Sequence, residues 1–391
     1  MLAGPSTSLL FRRRPGDDAP GLARARAAGA RLSELTIFVL IPLIVPAILV
    51  VRNWQRPKYV HDGSLYDINT MWQAWHKVIE GVSPYPFVYP APAAVLFAPL
   101  GALPWRFGVY AFWILVLVAV YLTFRLCGVR DWRCYGLALL SMPLLASLFV
   151  GSISPLLMLA AACAWRYRDT RYGPALAIAF VVGTKLFLWP LGVWLLATRR
   201  YRSAAASIVA TVGLVLGSWA VIGFAGLRAY PGHLGGIASL EEYKSYSIGA
   251  FAHGLGLGAG ASRVVTMSAT ALALAVIVLV ARQRDGDRRA FVAALGAALL
   301  ITPIVWPHYY VLLFVPLALA SRRLGVLWFL PLLYWALPGQ ESGGSSMVIA
   351  VSACFTIGIL VLSVVDTASV RRVLSRRPSG APAGAGEIAS A

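Results

Sequence analysis

Three side chains stand where so apolar a chain ordinarily carries none: Asp67, Lys185 and His308. Asp67 heads the stretch "DINTMWQAWHKVIEGVSPYPFVYPAP". Two roles suit it, and one residue can fill both. Asp is a favoured helix N-cap, and a carboxylate held at a membrane surface can act as a catalytic base. Asp62, in the looser "YVHDGS", reads as a solvated loop charge. Lys185 lies inside "FVVGTKLFLWP". A lone lysine at that depth costs about 3 kcal/mol on insertion scales, so it faces a cavity or an anion unless its stem snorkels to an interface. His308, in "TPIVWPHYYV", falls at the predicted outer end of its helix. An interfacial aromatic belt accounts for Trp306, Tyr309 and Tyr310 without any chemistry, but less well for the histidine. The polar run "EEYKSYS" at 241–247 reads equally well as a solvated external loop. Pumps and channels usually set charge across the bilayer midplane. Here it collects at one surface, which favours chemistry at the membrane–water boundary on a lipid-carried substrate.

The elements that must position these groups follow from composition. The chain has 391 residues, is 59% hydrophobic and only 13% charged, with a mean hydropathy of +0.74. That is the signature of an all-α, polytopic helical membrane protein. Long continuous apolar runs, not alternating ones, argue against a β-barrel. The net charge of +19 comes from 34 basic and 15 acidic residues, and it concentrates in tails and short loops such as "TRRYRS" and "RQRDGDRR". This is how cytoplasmic anchoring charge is distributed, and no aromatic-interleaved basic patch points to nucleic acid. Cys127, Cys134, Cys163 and Cys354 lie in or beside apolar runs, with neither disulfide nor metal-ligand spacing.

Residues 1–34 and 367–391 read as disordered cytoplasmic tails, and 1–34 lacks the residue order of a secretory signal. Residues 35–366 read as one membrane domain of about 10–12 helices, several too short to cross fully. The basic turns place a first loop at 53–90, the loop at 225–250 and the turn at 302–310 outside. Between 126 and 198 two hairpins satisfy the charge rule better than three crossings, and put "GSIS" and Lys185 near the outer face. From Ile68 the apolar positions Ile68, Met71, Trp72, Trp75, Val78 and Ile79 share one helical face. Its two tryptophans suit an amphipathic helix lying in the membrane interface.

The residues "DINTMWQAWHKVIEGVSPYPFVYPAPAAVLFAPLGALPW" resemble the first external loop of glycosyltransferase family 87, through Asp67, Gly81, Pro84, Tyr85, Tyr89, Pro90, Pro92, Pro99 and Leu100. "GSISPLLML" is similar to a Gly-Gln segment of that family, with Ser152 where Gln is usual. "GTKLFLWPLGVWLLATRRYRSA" resembles its intramembrane lysine and basic turn, "SYSIGAF" resembles a small polar stretch with Tyr246 as a departure, and "TPIVWPHYYVLLFVP" keeps Trp306 and His308 of a late motif. The similarity spans about residues 35–320.

The resemblance implies a GT-C transferase of the bacterial envelope, in the cytoplasmic membrane with its active site outside. It would move a sugar from a polyprenyl phosphate to a glycolipid or lipoglycan. We expect a mannosyl donor, α-1,2 transfer and inversion. An arabinofuranosyl donor is the alternative, and a lipid-linked sugar transporter or flippase is the rival from another class. A transporter would be expected to show internal repeats, and none is visible. Since polyprenyl phosphate is already a good leaving group, a single carboxylate suffices; glycoside hydrolases normally use two. Asp67 is the expected base, with Lys185 and His308 on the donor phosphate. Trp72, His76, Tyr85, Tyr89, Trp306 and Tyr309 are expected sugar or lipid contacts, with packing against the membrane as the other reading of the aromatic ones. No nucleotide-phosphate loop is present. No cofactor or metal is expected, since no paired acid or histidine cluster has metal-ligand spacing; His61, Asp62 and Asp67 of "HDGSLYD" are the grouping that a divalent ion could use as the alternative.

Overall fold

The computed structural model describes residues 19–54, 65–337 and 345–365, and these are helical without strands. His61, Asp62 and the tail from 367 lie outside the described residues. Helix α1 (Ala19–Leu35) runs through a π-helical turn (Thr36–Leu40) into α2 (Ile41–Trp54). The stretch expected to be a disordered tail is thus helical from Ala19, because its Ala- and Arg-rich composition is also that of a good helix former.

After α2 come α3 (Tyr66–Ile79), the short α4 (Ala91–Val95) and α5 (Ala98–Gly101), and α6 (Trp105–Leu126). Then follow α7 (Trp132–Leu139), α8 (Met142–Val150), α9 (Ser154–Arg166), α10 (Gly173–Lys185), α11 (Pro190–Ala197) and α12 (Tyr201–Val221). The chain continues through α13 (Tyr230–Glu241), α14 (Ile248–Gly254), α15 (Ala259–Ala281) and α16 (Gly286–Ile301). A 3₁₀ segment (Pro307–Leu313) leads into α17 (Phe314–Ala320), and a second one (Val326–Ala336) precedes α18 (Ser346–Val364). Among the described residues five helices are long and apolar enough to span a membrane, or six if the α7–α8 pair, bent by 61°, is one span. The remaining apolar runs are the short or broken elements that their lengths led us to expect.

Small residues bring these helices close, as membrane packing requires. A Cβ on Gly136 would lie 1.9 Å from the Phe38 carbonyl oxygen, and one on Gly296 would lie 2.6 Å from Leu360. Aromatic contacts fill the interior, including Phe124 against Phe314 and Trp328, and Phe291 against Trp165 and Trp194.

The basic turns share one end of the bundle. Asp287, at the start of α16, accepts from Arg168 Nε at 3.0 Å, from Arg200 at 2.7 and 3.0 Å, and from Trp194 Nε1 at 2.9 Å. Three loops are thereby tied together, those after α9, α11 and α15. Burial alone would raise the Asp287 pKa; Arg200, Trp194 and Arg168 hold it below its ordinary value. Its stabilising contribution is therefore present above the ordinary carboxylate pKa and lost as pH falls through the depressed one. Replacing it, Asp287→Ala, is expected to cost about 1–3 kcal/mol by leaving charged donors unpaired. Thermal unfolding in detergent will read this as a lowered Tm.

Since Arg168 and Arg200 meet there, α10 and α11 run away from this end and back to it. This is the hairpin arrangement favoured by the charge pattern. Lys185 and the Gly151–Ile153 break both fall at the other end.

The helix expected from Ile68 onward is α3, but protein covers most of its apolar face, leaving Ile79 exposed at the end. Ile68, Met71 and Trp75 are completely buried and Trp72 nearly so. They pack on α5 and α6, where Gly101 has no room for a Cβ beside the backbone of Trp75 and His76. Periodicity had marked the face correctly and mistaken its cover. Nor is "EEYKSYS" a wholly solvated loop: Ser245, Tyr246 and Ser247 are buried, and Ser247 caps α14 by accepting from Ala250 N–H at 3.1 Å.

Candidate active site

The site is assembled where three chain interruptions meet. Leu65, in left-handed conformation with φ 59°, is the N-cap of α3 and makes no side-chain cap. Asp67 therefore lies inside the first turn and is not the cap itself. Its charge still faces the favourable end of the helix dipole. The Leu65 N–H donates to the Phe149 carbonyl at 2.7 Å, pinning the head of α3 to the α8–α9 break. Gly151 makes that break with φ 72°, and a Cβ there would stand 2.4 Å from the Ile68 Cβ. Gly151→Ala is expected to lose about 1–2 kcal/mol from backbone strain alone. It should also displace Asp67, so any activity that depends on this carboxylate should fall more steeply than the Tm. Parallel melting and turnover measurements test this.

The third interruption ends α10 at Lys185. Leu186 has φ 47° and ψ −44°, and the Phe187 N–H donates to the Lys185 carbonyl at 2.5 Å. This is a γ-turn of the strained hand. Strained backbone of this kind clusters at functional sites.

Around Asp67 these elements converge. Its side chain is 16% exposed. The Tyr89 hydroxyl donates to Oδ2 at 3.4 Å, and Ser152 also hydrogen-bonds the carboxylate. Nε2 of His308 lies 3.7 Å from the same Oδ2, beyond hydrogen-bond length. The Lys185 Nζ stands 4.0 Å from the Tyr309 ring centre and 5.3 Å from that of Tyr89, and its charge acts on Asp67. Phe187 stacks on the far part of this wall, 5.1 Å from Tyr309. Nζ is buried and has no hydrogen-bond acceptor among the described residues. Two aromatic faces attract an ammonium but do not accept its protons. A buried donor without an acceptor is costly, so this one is suited to an incoming anion.

Burial pushes the Asp67 carboxyl above its ordinary pKa; Lys185, Ser152 and Tyr89 oppose that and only partly offset it. Burial, then the neighbouring Asp67 charge, pushes the Tyr89 phenol well above its own ordinary value. Tyr89 is therefore a proton-bearing donor at neutral pH, and Asp67 is the group that can take a proton.

Of the expected site residues, Asp67, Tyr89, Lys185, His308 and Tyr309 come together. Trp72, His76 and Tyr85 are placed elsewhere. Trp72 stacks on His76 at 4.9 Å and directs Nε1 to the Leu103 carbonyl. His76 pairs with Gly101 O at 2.9 Å and Glu80 at 3.2 Å. Tyr85 stacks on Trp219 at 4.5 Å, and its hydroxyl donates to the Tyr89 carbonyl. All three are committed to packing α3–α5 and α12–α13. Trp306 is half-buried and caps the 3₁₀ segment through its backbone, which accepts from Tyr309 N–H at 2.9 Å. Ser152 is the addition; its only sequence signal was its place after Gly151 where the resembled motif carries Gln. Among the described residues no group of three or more His, Cys, Asp or Glu is arranged to hold a metal ion.

The model of glycosyltransferase family 87 matches residues 87–307. A polyprenol-phosphate-mannose-dependent alpha-(1-2)-phosphatidylinositol pentamannoside mannosyltransferase of Mycolicibacterium smegmatis is 34% identical over 167 residues, 39% of each chain. The enzyme of the same name from Mycobacterium tuberculosis is 29% identical over 286 residues, 68% of this chain and 62% of that one. The chain therefore spans less than two thirds of either relative's length. No solved structure matches it.

Proposed function

Because the chain belongs to glycosyltransferase family 87, we propose that it is a membrane mannosyltransferase. It takes mannose from polyprenyl-phosphate-mannose and places it, with inversion, on a glycolipid or lipoglycan outside the cytoplasmic membrane. One observation carries the reading: a buried carboxylate and a buried ammonium without an acceptor among the described residues stand together in one cluster. The cluster lies at the end of the bundle away from the basic turns. That separation is about 24 Å along α16, a 16-residue helix. With the basic turns in the cytoplasm, the site faces outward.

In this reading Asp67 accepts the proton of an acceptor hydroxyl. The hydroxyl oxygen bonds to the anomeric carbon as the bond from that carbon to the phosphate oxygen breaks. The electron pair leaves with polyprenyl phosphate, and Lys185 and His308 stabilise the growing charge. Tyr89 holds the carboxylate, and Tyr309 holds the ammonium. The names of the two relatives support a mannosyl donor and α-1,2 transfer to a phosphatidylinositol mannoside. Residues 35–366 serve as one membrane domain in this account.

The test is transfer by the purified full chain from labelled polyprenyl-phosphate-mannose, or from the arabinose donor, to a mannosylated phosphatidylinositol. Mannosyl transfer is expected. Transfer from the arabinose donor alone would change the sugar and keep the chemistry. Movement of donor lipid across vesicles without transfer would replace the enzyme by a transporter.

A further inference from the structure

The 3₁₀ segment Pro307–Leu313 is a wall with two sides. Tyr309 faces the site, beneath Lys185. Tyr310 faces away: its hydroxyl accepts from Ser352 of α18 at 2.6 Å. On that second side α14, α15, α16 and α18 enclose a cavity of about 1050 Å³. Its walls are almost wholly aliphatic, from the helix faces carrying Ala273, Val276, Ala297 and Ala353. Small-molecule pockets of about 300–1000 Å³ place several polar groups to orient a ligand. This one has few: Tyr246 and Tyr310 at one end, Gln283 and Arg289 at the other, and between them Thr356, whose hydroxyl is engaged by Tyr334 and the Ser352 carbonyl.

The two ends differ in charge. The end near the site is lined by Tyr246, Phe251 and Tyr310, with no cation there. The other end reaches the turn "RQRDGDRR" and is lined by Gln283 and Arg289, with Arg282 and Arg284 exposed in the same turn. The acid of that turn that would neutralise them, Asp287, is engaged by Arg168 and Arg200. Asp285 is exposed at the start of α16. Arg289 donates to Gln283 Oε1 at 3.0 Å, which holds it at the mouth. A basic mouth on an apolar cleft between membrane helices, on the side of the basic loops, fits an anionic lipid headgroup with its chains inside.

We propose that this cleft binds an anionic phospholipid of the leaflet on the basic-turn side, its headgroup on Arg289 and its acyl chains along α15, α16 and α18. The polyprenyl donor is a different lipid at the other face of the wall, so occupancy of this cleft is independent of the proposed transfer reaction.

Native mass spectrometry of the purified full chain tests this with phosphatidylglycerol, phosphatidylcholine and polyprenyl phosphate as probes. Wild type is expected to retain phosphatidylglycerol over phosphatidylcholine. Arg289→Gln should lose roughly fivefold of that preference, the contribution of one basic contact at a membrane surface. Ala353→Trp, which fills the cleft, should bind neither phospholipid, with melting curves confirming that both variants fold. Polyprenyl phosphate should not displace phosphatidylglycerol. Equal retention of the two phospholipids by wild type, unchanged preference in Arg289→Gln, retention by folded Ala353→Trp, or displacement by polyprenyl phosphate would each overturn the proposal.

Discussion

Asp67→Asn is expected to lower kcat/KM about 10²–10⁴-fold, the contribution of a general base, while changing stability far less. The two halves of this outcome share a cause. Burial disfavours the Asp67 charge, and its partners restore only part of the loss. A carboxyl whose folded pKa is raised contributes stability below its ordinary pKa, and that contribution is lost as pH rises through the raised value. At neutral pH the ionised group is thus held at a cost to the fold. Asparagine keeps the shape and the hydrogen bond from Tyr89 and removes the charge. Activity falls, while relief of the buried carboxylate charge is offset by loss of its attraction for the Lys185 ammonium, so the Tm changes little. Steady-state kinetics and a detergent melt on the same preparation check both. A drop in Tm matching the drop in activity would mean that Asp67 is structural.

Lys185→Met should lower kcat about 10²–10³-fold, as expected when one preorganised charge is withdrawn from a developing anion. Methionine keeps the length of the side chain and its contact with the Tyr309 ring. The loss should fall on kcat more than on KM, because leaving-group charge is greatest in the transition state. A second signature follows. Lys185 is the largest of the influences that lower the Asp67 pKa. Without it that pKa rises further, so the acid limb of the pH–rate profile should move to higher pH. The wild-type limb should itself lie above the ordinary carboxylate range. A variant that lost activity without moving its limb would separate Lys185 from Asp67.

Sequence alone could find Asp67 and Lys185 because each breaks a pattern, one as the acid opening an amphipathic stretch and the other as a charge inside an apolar run. Their meeting was not legible. It depends on left-handed backbone at Leu65 and Gly151 and on the turn at Leu186, and leucine carries no signal for such conformations. Trp72 and His76 show the opposite limit. Helical periodicity identified the buried face of α3, yet the same spacing serves lipid, sugar or a neighbouring helix, and here α5 and α6 cover it. Asp287 was hidden for a third reason. In a basic turn that sets orientation, one acid looks incidental, and only the folded chain brings Arg168 and Arg200 to it. The hairpin of α10 and α11 was legible, because it brings together the basic turns at 168 and 200 that the charge pattern placed on one side.

A single carboxylate working by direct displacement must turn over the reacting carbon. Nuclear magnetic resonance of the product formed from a donor of known anomeric configuration reads this without any substitution in the protein. The account predicts the opposite configuration in the new glycosidic linkage; a product retaining the donor's configuration would contradict it.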